Sequence, residues 1–259
     1  MFNPYQTMDR SSAANINEIR SEKVSLDLTV NFNTSVIEGE VTHTFVAVAS
    51  DVTTIHLDIE HINVESVKYS GGSNNLKIKV QDWPWITDEE KQVLTIYLDK
   101  SLNRGETIEI VIKYKTKPDG LGLNWLGPSQ TLSKKPFFYT ECQTYYCRSL
   151  APLQDTPFVK SHFSSRIRVP GDMIALSSGT LKNVSDENNS KVFEFKQKNP
   201  IPSYLMAVVV GVLEKKEINS RTFIYAEKDI MKESYELLKP IGSFLDTVRF
   251  LGDSRRNHI

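Results

Sequence analysis

Histidines and glutamates are the residues of this chain most able to bind a catalytic metal, so their spacing is the first observation. The five histidines are His43, His56, His61, His162 and His258. Two imidazoles on one helix share a metal when they lie four residues apart with a glutamate between them. No pair has that spacing, and His56 and His61 lie in a stretch with strand alternation, where their rings point to opposite faces. We therefore predict no metal site and no catalytic residue in this chain.

The two cysteines, Cys142 and Cys147, enclose a gap of four residues. That spacing could supply half of a metal site, but the sequence has no second half, and the alternative is a pair of reduced thiols. Two cysteines are too few for a disulfide framework. Residues 1–20 lack the apolar core of a secretory signal. Both observations predict a cytoplasmic location.

The composition narrows the class of partner. The chain has 259 residues, 31 Lys and Arg against 32 Asp and Glu, and a formal net charge of -1. This balance argues against nucleic-acid binding. No stretch reaches the roughly 18 uncharged apolar residues of a membrane-spanning helix, so we predict no membrane partner. The sequence also lacks a nucleophile elbow and a phosphate-binding loop.

The positions that could do chemistry must be held by a mainly β fold. Apolar residues alternate from Val24 to Phe32, and the same period recurs in 55–59, 76–80, 94–98 and 108–114. Such closely spaced strands predict antiparallel sheets. The run 204–214 is apolar on both faces and predicts a central buried strand. After a short strand at 223–225, helical spacing begins near Ile230 and renews after Pro240 as a stripe that ends at Leu251.

A carboxylate and a carboxamide lie close together in an aromatic stretch after Phe137. If the backbone is extended there, Glu141 and Gln143 project to the same side and suit an ammonium group such as a peptide N-terminus. From composition alone, a plain surface loop is the other interpretation.

Residues 139–160 closely resemble the segment by which zinc aminopeptidases of the family called M-one enter their active-site cleft. The matching positions are Arg148, Pro152, Asp155, Pro157 and Lys160. Residues 201–211 resemble the family's Tyr-Leu-x-Ala-x-x-Val-Gly strand. Gln143, where most members have Glu, resembles the leukotriene A(4) hydrolase branch, as do residues 123–126, 147–148 and 154–157. The similarity runs from about residue 22 to about residue 252.

This resemblance implies a saddle-like antiparallel β-sheet domain at the N-terminus, followed by the first strand and helix of a thermolysin-like catalytic domain. The implied boundaries are a flexible segment at 1–20, the β domain at 21–217, and the start of the catalytic domain at 218–259, truncated before the zinc site. Family members carry zinc, but this chain lacks the ligands. We therefore expect the chain alone to bind no zinc and to be inactive, and we expect a monomer.

The resemblance also implies that residues 141–144 line the cleft and hold the free amino end of peptide substrates. The implied substrate-binding residues are Glu141, Cys142, Gln143 and Thr144. Glu141 stands where the branch carries Gln, and Thr144 where Ala is usual. An extra carboxylate favours substrates that begin with Arg or Lys. The alternative function is a non-catalytic β-sandwich that serves as a binding or scaffold protein.

Overall fold

The computed structural model describes Asp9, residues 11–82 and residues 91–256, without the side chains of Lys91 and residues 249–256. Within these ranges the chain is mainly β, as predicted. The strands are β1 (Ile19–Asn31), β2 (Val36–Ala47), β3 (Val52–Glu60), β4 (Ile62–Tyr69), β5 (Lys77–Asp82), β6 (Lys91–Leu102), β7 (Thr107–Thr116), β8 (Leu123–Leu126), β9 (Phe137–Thr140), β10 (His162–Pro170), β11 (Ile174–Ser177), β12 (Thr180–Glu187), β13 (Ser190–Lys196), β14 (Val208–Gly211), β15 (Glu214–Asn219) and β16 (Thr222–Ala226). The helices are α1 (Met231–Leu238) and α2 (Ile241–Arg256).

The largest sheet has seven strands in the order β12-β13-β10-β1-β2-β7-β4. Every second residue of β1 from Val24 to Val30 is buried, which confirms the predicted one-sided strand. All neighbours in this sheet are antiparallel except β1 and β10, which run parallel with Lys23 opposite His162. The prediction of antiparallel sheets is therefore confirmed with the exception of this pair, whose long connection permits a crossover.

A second sheet has the order β11-β14-β9-β8, and a third has the order β3-β6-β5. Strand β14 is central and buries Val208 and Val210 completely. It is shorter than the strand predicted over 204–214, because a 3-10 turn forms at Ser203–Leu205 and the chain enters β15 at Glu214. Strand β9 pairs with β14 and leads directly into residues 141–146, the loop that carries the candidate binding residues.

The start of the described chain packs against β3. Ala14 and Ile16 are buried. The side chain of Asn15 donates to the carbonyl of Thr54 at 2.9 Å and accepts from the backbone N–H of His56 at 2.8 Å. The segment 1–20, which we expected to be flexible, thus makes buried contacts in its described part.

Contacts between the described residues divide the chain into two compact units. The larger unit comprises residues 1–125 and 138–210, and the smaller comprises residues 126–137 and 211–259. In the smaller unit, β15 and β16 form a hairpin, and Met231 of α1 packs with Ile224 and Ala226. The predicted helical end is confirmed by α1 and α2, although the side chain of Leu251 lies outside the described residues. Among the described helices, none is long and apolar enough to cross a membrane.

Candidate functional site

The candidate loop follows β9 and turns back at once. The backbone N–H of Glu141 donates to the carbonyl of Gly122 at 2.9 Å, which holds the start of the loop against its neighbour. Residues 143–146 then form a turn, in which the N–H of Tyr146 donates to the carbonyl of Cys142 at 3.0 Å. The extended backbone that we assumed from the sequence therefore ends at Cys142.

The four predicted binding residues divide into exposed and buried groups. Glu141, Gln143 and Thr144 are exposed, whereas Cys142 is buried with 4% of its surface accessible. The loop thus presents a carboxylate, a carboxamide and a hydroxyl to solvent while Cys142 packs inward. Acceptor oxygens on an exposed loop can receive hydrogen bonds from an ammonium group.

Directly after the turn, the buried side chain of Arg148 connects the loop to neighbouring segments of the chain. Its guanidinium is buried, with 1% exposed, and its Nε donates to Oδ2 of Asp155 at 3.0 Å. Its Nη2 donates to the carbonyls of Ser11 at 2.6 Å and of Asp155 at 3.1 Å. The hydroxyl of Ser203 donates to the other carboxylate oxygen of Asp155 at 2.5 Å. The ion pair thereby joins the segments that carry Ser11 and Ser203.

A second buried carboxylate, Asp58 of β3, completes this network. Its oxygens accept from the hydroxyl of Ser12 at 2.6 Å, from the N–H of Ala13 at 2.8 Å and from the N–H of Asp155 at 3.0 Å. Nη1 of Arg148 lies 3.9 Å from Oδ1 of Asp58. Asp58 was not predicted from the sequence, yet it links the start of the chain, β3 and the segment after Arg148.

Burial and neighbouring charges shift the pKa values of Asp58 and Arg148 in opposite directions. Burial raises the pKa of Asp58, and the nearby Arg148 only partly offsets this effect. Burial also works against the charge of Arg148, but Asp58 and Asp155 outweigh it and raise the pKa of the guanidinium. Arg148 therefore stays charged, and one cation faces two buried carboxyl groups.

The chain at residues 152–154, after the loop, is held in place by the side chains of His43 and Gln154. One ring nitrogen of His43, Nε2, lies 2.9 Å from the carbonyl oxygen of Pro152, and Nδ1 lies 2.9 Å from the hydroxyl of Ser21. The amide of Gln154 accepts from the N–H of Ser21 and donates to the carbonyl of Ile19, both at 2.9 Å. Because both side chains are buried, they fix the loop's base to β1 and β2.

The described residues do not offer a metal site of their own. No group of three or more His, Cys, Asp or Glu side chains is placed so that it could hold a metal ion, as far as the structure describes the chain. The zinc that the resemblance implies for the family therefore does not fit the donor set found here.

Comparisons with known proteins agree with this fold. Residues 18–205 match the family described as the Peptidase M1 N-terminal domain, and the chain belongs to this family. The match confirms the resemblance seen in the sequence.

Particular relatives point to one branch of that family. Leukotriene A-4 hydrolase of Xenopus laevis is 34% identical over 232 residues, which is 87% of this chain and 37% of the relative. Leucine aminopeptidase 2 of Pyricularia oryzae is 30% identical over 249 residues, which is 94% of this chain and 40% of the relative. The solved structure of native yeast LTA4 hydrolase matches with a TM-score of 0.82 at 26% identity, covering 95% of this chain and 38% of that chain.

A more distant solved structure shares the fold alone. The M1 zinc metallopeptidase from Deinococcus radiodurans matches with a TM-score of 0.62 at 22% identity, covering 81% of this chain and 46% of that chain. The chain thus spans about two fifths of the length of the two curated relatives named above.

Proposed function

We propose that this chain is the N-terminal part of a zinc aminopeptidase, in which it forms the wall that binds the amino end of a peptide substrate. Membership of the Peptidase M1 N-terminal domain family supports the proposal, as do relatives named as leukotriene A-4 hydrolase and leucine aminopeptidase 2. The observation that carries it is the exposure of Glu141 and Gln143 on a loop whose base is pinned by buried Arg148.

The chemistry of the two side chains suits a positively charged amino group. The carboxamide oxygen of Gln143 and the carboxylate oxygens of Glu141 each accept hydrogen bonds, and an ammonium group can only donate them. Hydrogen bonds to a charged partner contribute roughly 1.5 to 3 kcal/mol each. The buried network below the loop reduces the ordering cost of binding, because the backbone is already fixed. Glu141 adds negative charge that favours substrates beginning with Arg or Lys.

Zinc catalysis needs a set of ligands that the described residues do not bring together. A catalytic zinc needs three protein ligands and an open position, and the donor set described above does not supply them. We expect the purified 259-residue chain to contain no stoichiometric zinc by elemental analysis and to leave aminoacyl anilides intact. One zinc per chain after dialysis would contradict this part of the proposal.

The binding role is tested in a chimera in which this chain replaces the matching part of the Xenopus laevis relative. Gln143→Ala should lower kcat/KM by roughly 10 to 150 fold, since each 1.4 kcal/mol corresponds to a factor of about ten. Gln143→Glu keeps an acceptor oxygen and should retain most activity. Gln81→Ala, at an exposed position of β5, is the matched control and should leave kcat/KM unchanged.

Glu141→Gln tests the proposed preference in the same chimera. Its kcat/KM should fall more for Arg and Lys anilides than for Ala or Leu anilides, because only the former carry a second positive charge. Equal losses of kcat/KM on both substrate classes would contradict the proposal that the charge of Glu141 favours Arg and Lys substrates. An unchanged kcat/KM for Gln143→Ala would show that the loop does not bind the substrate's amino end.

A further inference from the structure

The chain before β1 contacts the segment that follows the candidate loop. These contacts come from Asp9 and residues 11–13, which we call the strap. The hydroxyl of Thr156 donates to Oδ2 of Asp9 at 2.6 Å. The other oxygen of Asp9, Oδ1, accepts from the backbone N–H of Ser11 at 2.8 Å and from its hydroxyl at 2.5 Å. The start of the strap is thus fixed to the segment that carries Thr156.

The other end of the strap is held by the buried carboxylate of Asp58. The hydroxyl of Ser12 donates to Oδ2 of Asp58 at 2.6 Å, and the N–H of Ala13 donates to Oδ1 at 2.8 Å. Both Asp58 and Ser12 are buried. Because Asp9 is bonded on one side of Ser11 and Ser12 is bonded on the other, the carbonyl of Ser11 has a fixed position.

That carbonyl is the acceptor that connects the strap to Arg148. Nη2 of Arg148 donates to it at 2.6 Å. The other hydrogen bonds of the guanidinium go to the carboxylate and the carbonyl of Asp155, seven residues further along the chain. Nη1 has no hydrogen-bond partner among the described residues, since Asp58 is 3.9 Å away. Within the described part of the chain, the carbonyl of Ser11 is therefore the guanidinium's one hydrogen bond outside its own segment.

Arg148 in turn lies where the exposed turn ends. Only Cys147 separates it from the turn at residues 143–146, which contains two of the proposed binding residues. The backbone N–H of Arg148 donates to Oδ2 of Asp155 at 3.1 Å, so its backbone and its side chain share one carboxylate. A shift of the strap would therefore move the backbone at the end of the turn.

We propose that the strap positions the loop that binds the substrate's amino end, with Asp9 and Ser12 as its positioning residues. The inference rests on the proposed function and adds the start of the chain to the elements that determine how well a peptide binds. Both residues act through the carbonyl of Ser11, and thus through Arg148, without touching the substrate. A loop that is already fixed loses less freedom on binding, so a loosened strap should raise KM and leave kcat nearly unchanged.

Hydrogen exchange of the 259-residue chain, measured by NMR, tests the strap without any substrate. Asp9 is only partly buried, so Asp9→Ala is compatible with folding. The hydrogen-bonded amides of Glu141 and Tyr146 should exchange at least about threefold faster in this variant, which is within the range for the loss of one hydrogen bond. Asp186→Ala removes an exposed carboxylate of β12; it is the matched control and should leave both exchange rates unchanged.

Variants of Thr156 distinguish positioning of the loop from a general loss of stability. Thr156→Val removes the hydroxyl that donates to Asp9 and should accelerate exchange at the same two amides, whereas Thr156→Ser keeps the hydroxyl and should retain the wild-type rates. A purely structural contact would instead accelerate exchange only in the central strands β2 and β7, which we expect to open with the whole fold. That result, or wild-type rates at Glu141 and Tyr146 in both Asp9→Ala and Thr156→Val, would overturn the proposal.

The chimera described above separates the strap from the proposed function. In it, Asp9→Ala should raise KM by at least about threefold and change kcat by less than about twofold. Ser12→Ala, on the other side of Ser11, should act in the same direction in both assays. Faster exchange in the loop together with an unchanged KM would contradict the proposed function while leaving the positioning of the loop by the strap intact.

Discussion

Replacement of His43 by Gln tests whether this buried histidine is neutral where it contacts Ser21 and Pro152. His43 is fully buried between Ser21 and the carbonyl of Pro152. A carbonyl can only accept, so Nε2 carries the proton and donates to Pro152, while Nδ1 accepts from the hydroxyl of Ser21. This arrangement requires a neutral ring. Burial accordingly lowers the pKa of His43 from its ordinary value of 6.5 to about 4.

The lowered pKa makes the stability of the fold dependent on pH. Between pH 6.5 and pH 4 the unfolded chain binds a proton at His43 that the folded chain does not bind. The folded state is therefore fully favoured above pH 6.5 and loses free energy of unfolding as the pH falls toward 4. The difference of about 2.5 pKa units corresponds to roughly 3 kcal/mol, at about 1.4 kcal/mol per unit.

The assay is urea unfolding of the wild-type chain and of His43→Gln at several pH values from about 7.5 to about 4. The wild type should lose about 3 kcal/mol more than the variant across this range, because Gln does not titrate. His56, whose pKa burial also lowers, is present in both proteins and cancels in the comparison. Equal pH dependence in the two proteins would refute the neutral, buried state of His43.

Two further predictions concern the anchors of the loop. Arg148→Met should lower the free energy of unfolding by about 3 to 5 kcal/mol, because two buried carboxyl groups lose their cation. Arg168→Met breaks the half-exposed ion pair with Glu187 and should cost much less, because solvent screens that pair. Urea unfolding at neutral pH checks both, and equal losses would contradict the anchoring role of Arg148. Gly122→Ala places a Cβ 2.4 Å from the carbonyl oxygen of Tyr146 and should lower the free energy of unfolding by at least about 1 kcal/mol. Gly127→Ala, whose Cβ meets nothing closer than 3.8 Å, is the control in the same assay.

The sequence predicted strands well where one face is apolar and the other polar. Strand β1 shows this alternation and is buried on one face. Strands β12 and β15 are largely exposed and carry no apolar period, so pattern reasoning could not detect them. The parallel pairing of β1 with β10 also escapes such reasoning, since pairing between distant strands depends on the whole sheet and not on local residues.

The candidate site was predictable at its exposed tip and not at its base. Glu141 and Gln143 were predicted as binding residues from their chemistry and from the family resemblance, and the structure shows both exposed, while their role stays a prediction. Asp58 was not, because the alternation of apolar residues over 55–59 puts it on the face of β3 expected to be polar and solvated. The structure buries that side chain under other segments: its carboxylate contacts Ser12, Ala13 and Arg148. Leu153 pairs with the edge of β3 beside it, through backbone hydrogen bonds with Asp58 at 2.7 and 3.2 Å. A polar position in a strand becomes a buried anchor only when another segment covers it, and one strand's sequence does not contain that information.

The buried charges explain why this loop has a defined position despite its exposed, polar tip. Two carboxyl groups and one guanidinium removed from water cost free energy, and an apolar core of the same volume would often be as stable or more stable. Hydrogen bonds, however, are directional. Those of Arg148 and Asp58 reach two separate segments, at Ser11 and Ser12 and at Asp155. Each acceptor fixes an angle as well as a distance. A network of this kind sets the loop's backbone in one arrangement before any ligand arrives, which is the property that a surface recognising a small ammonium group requires.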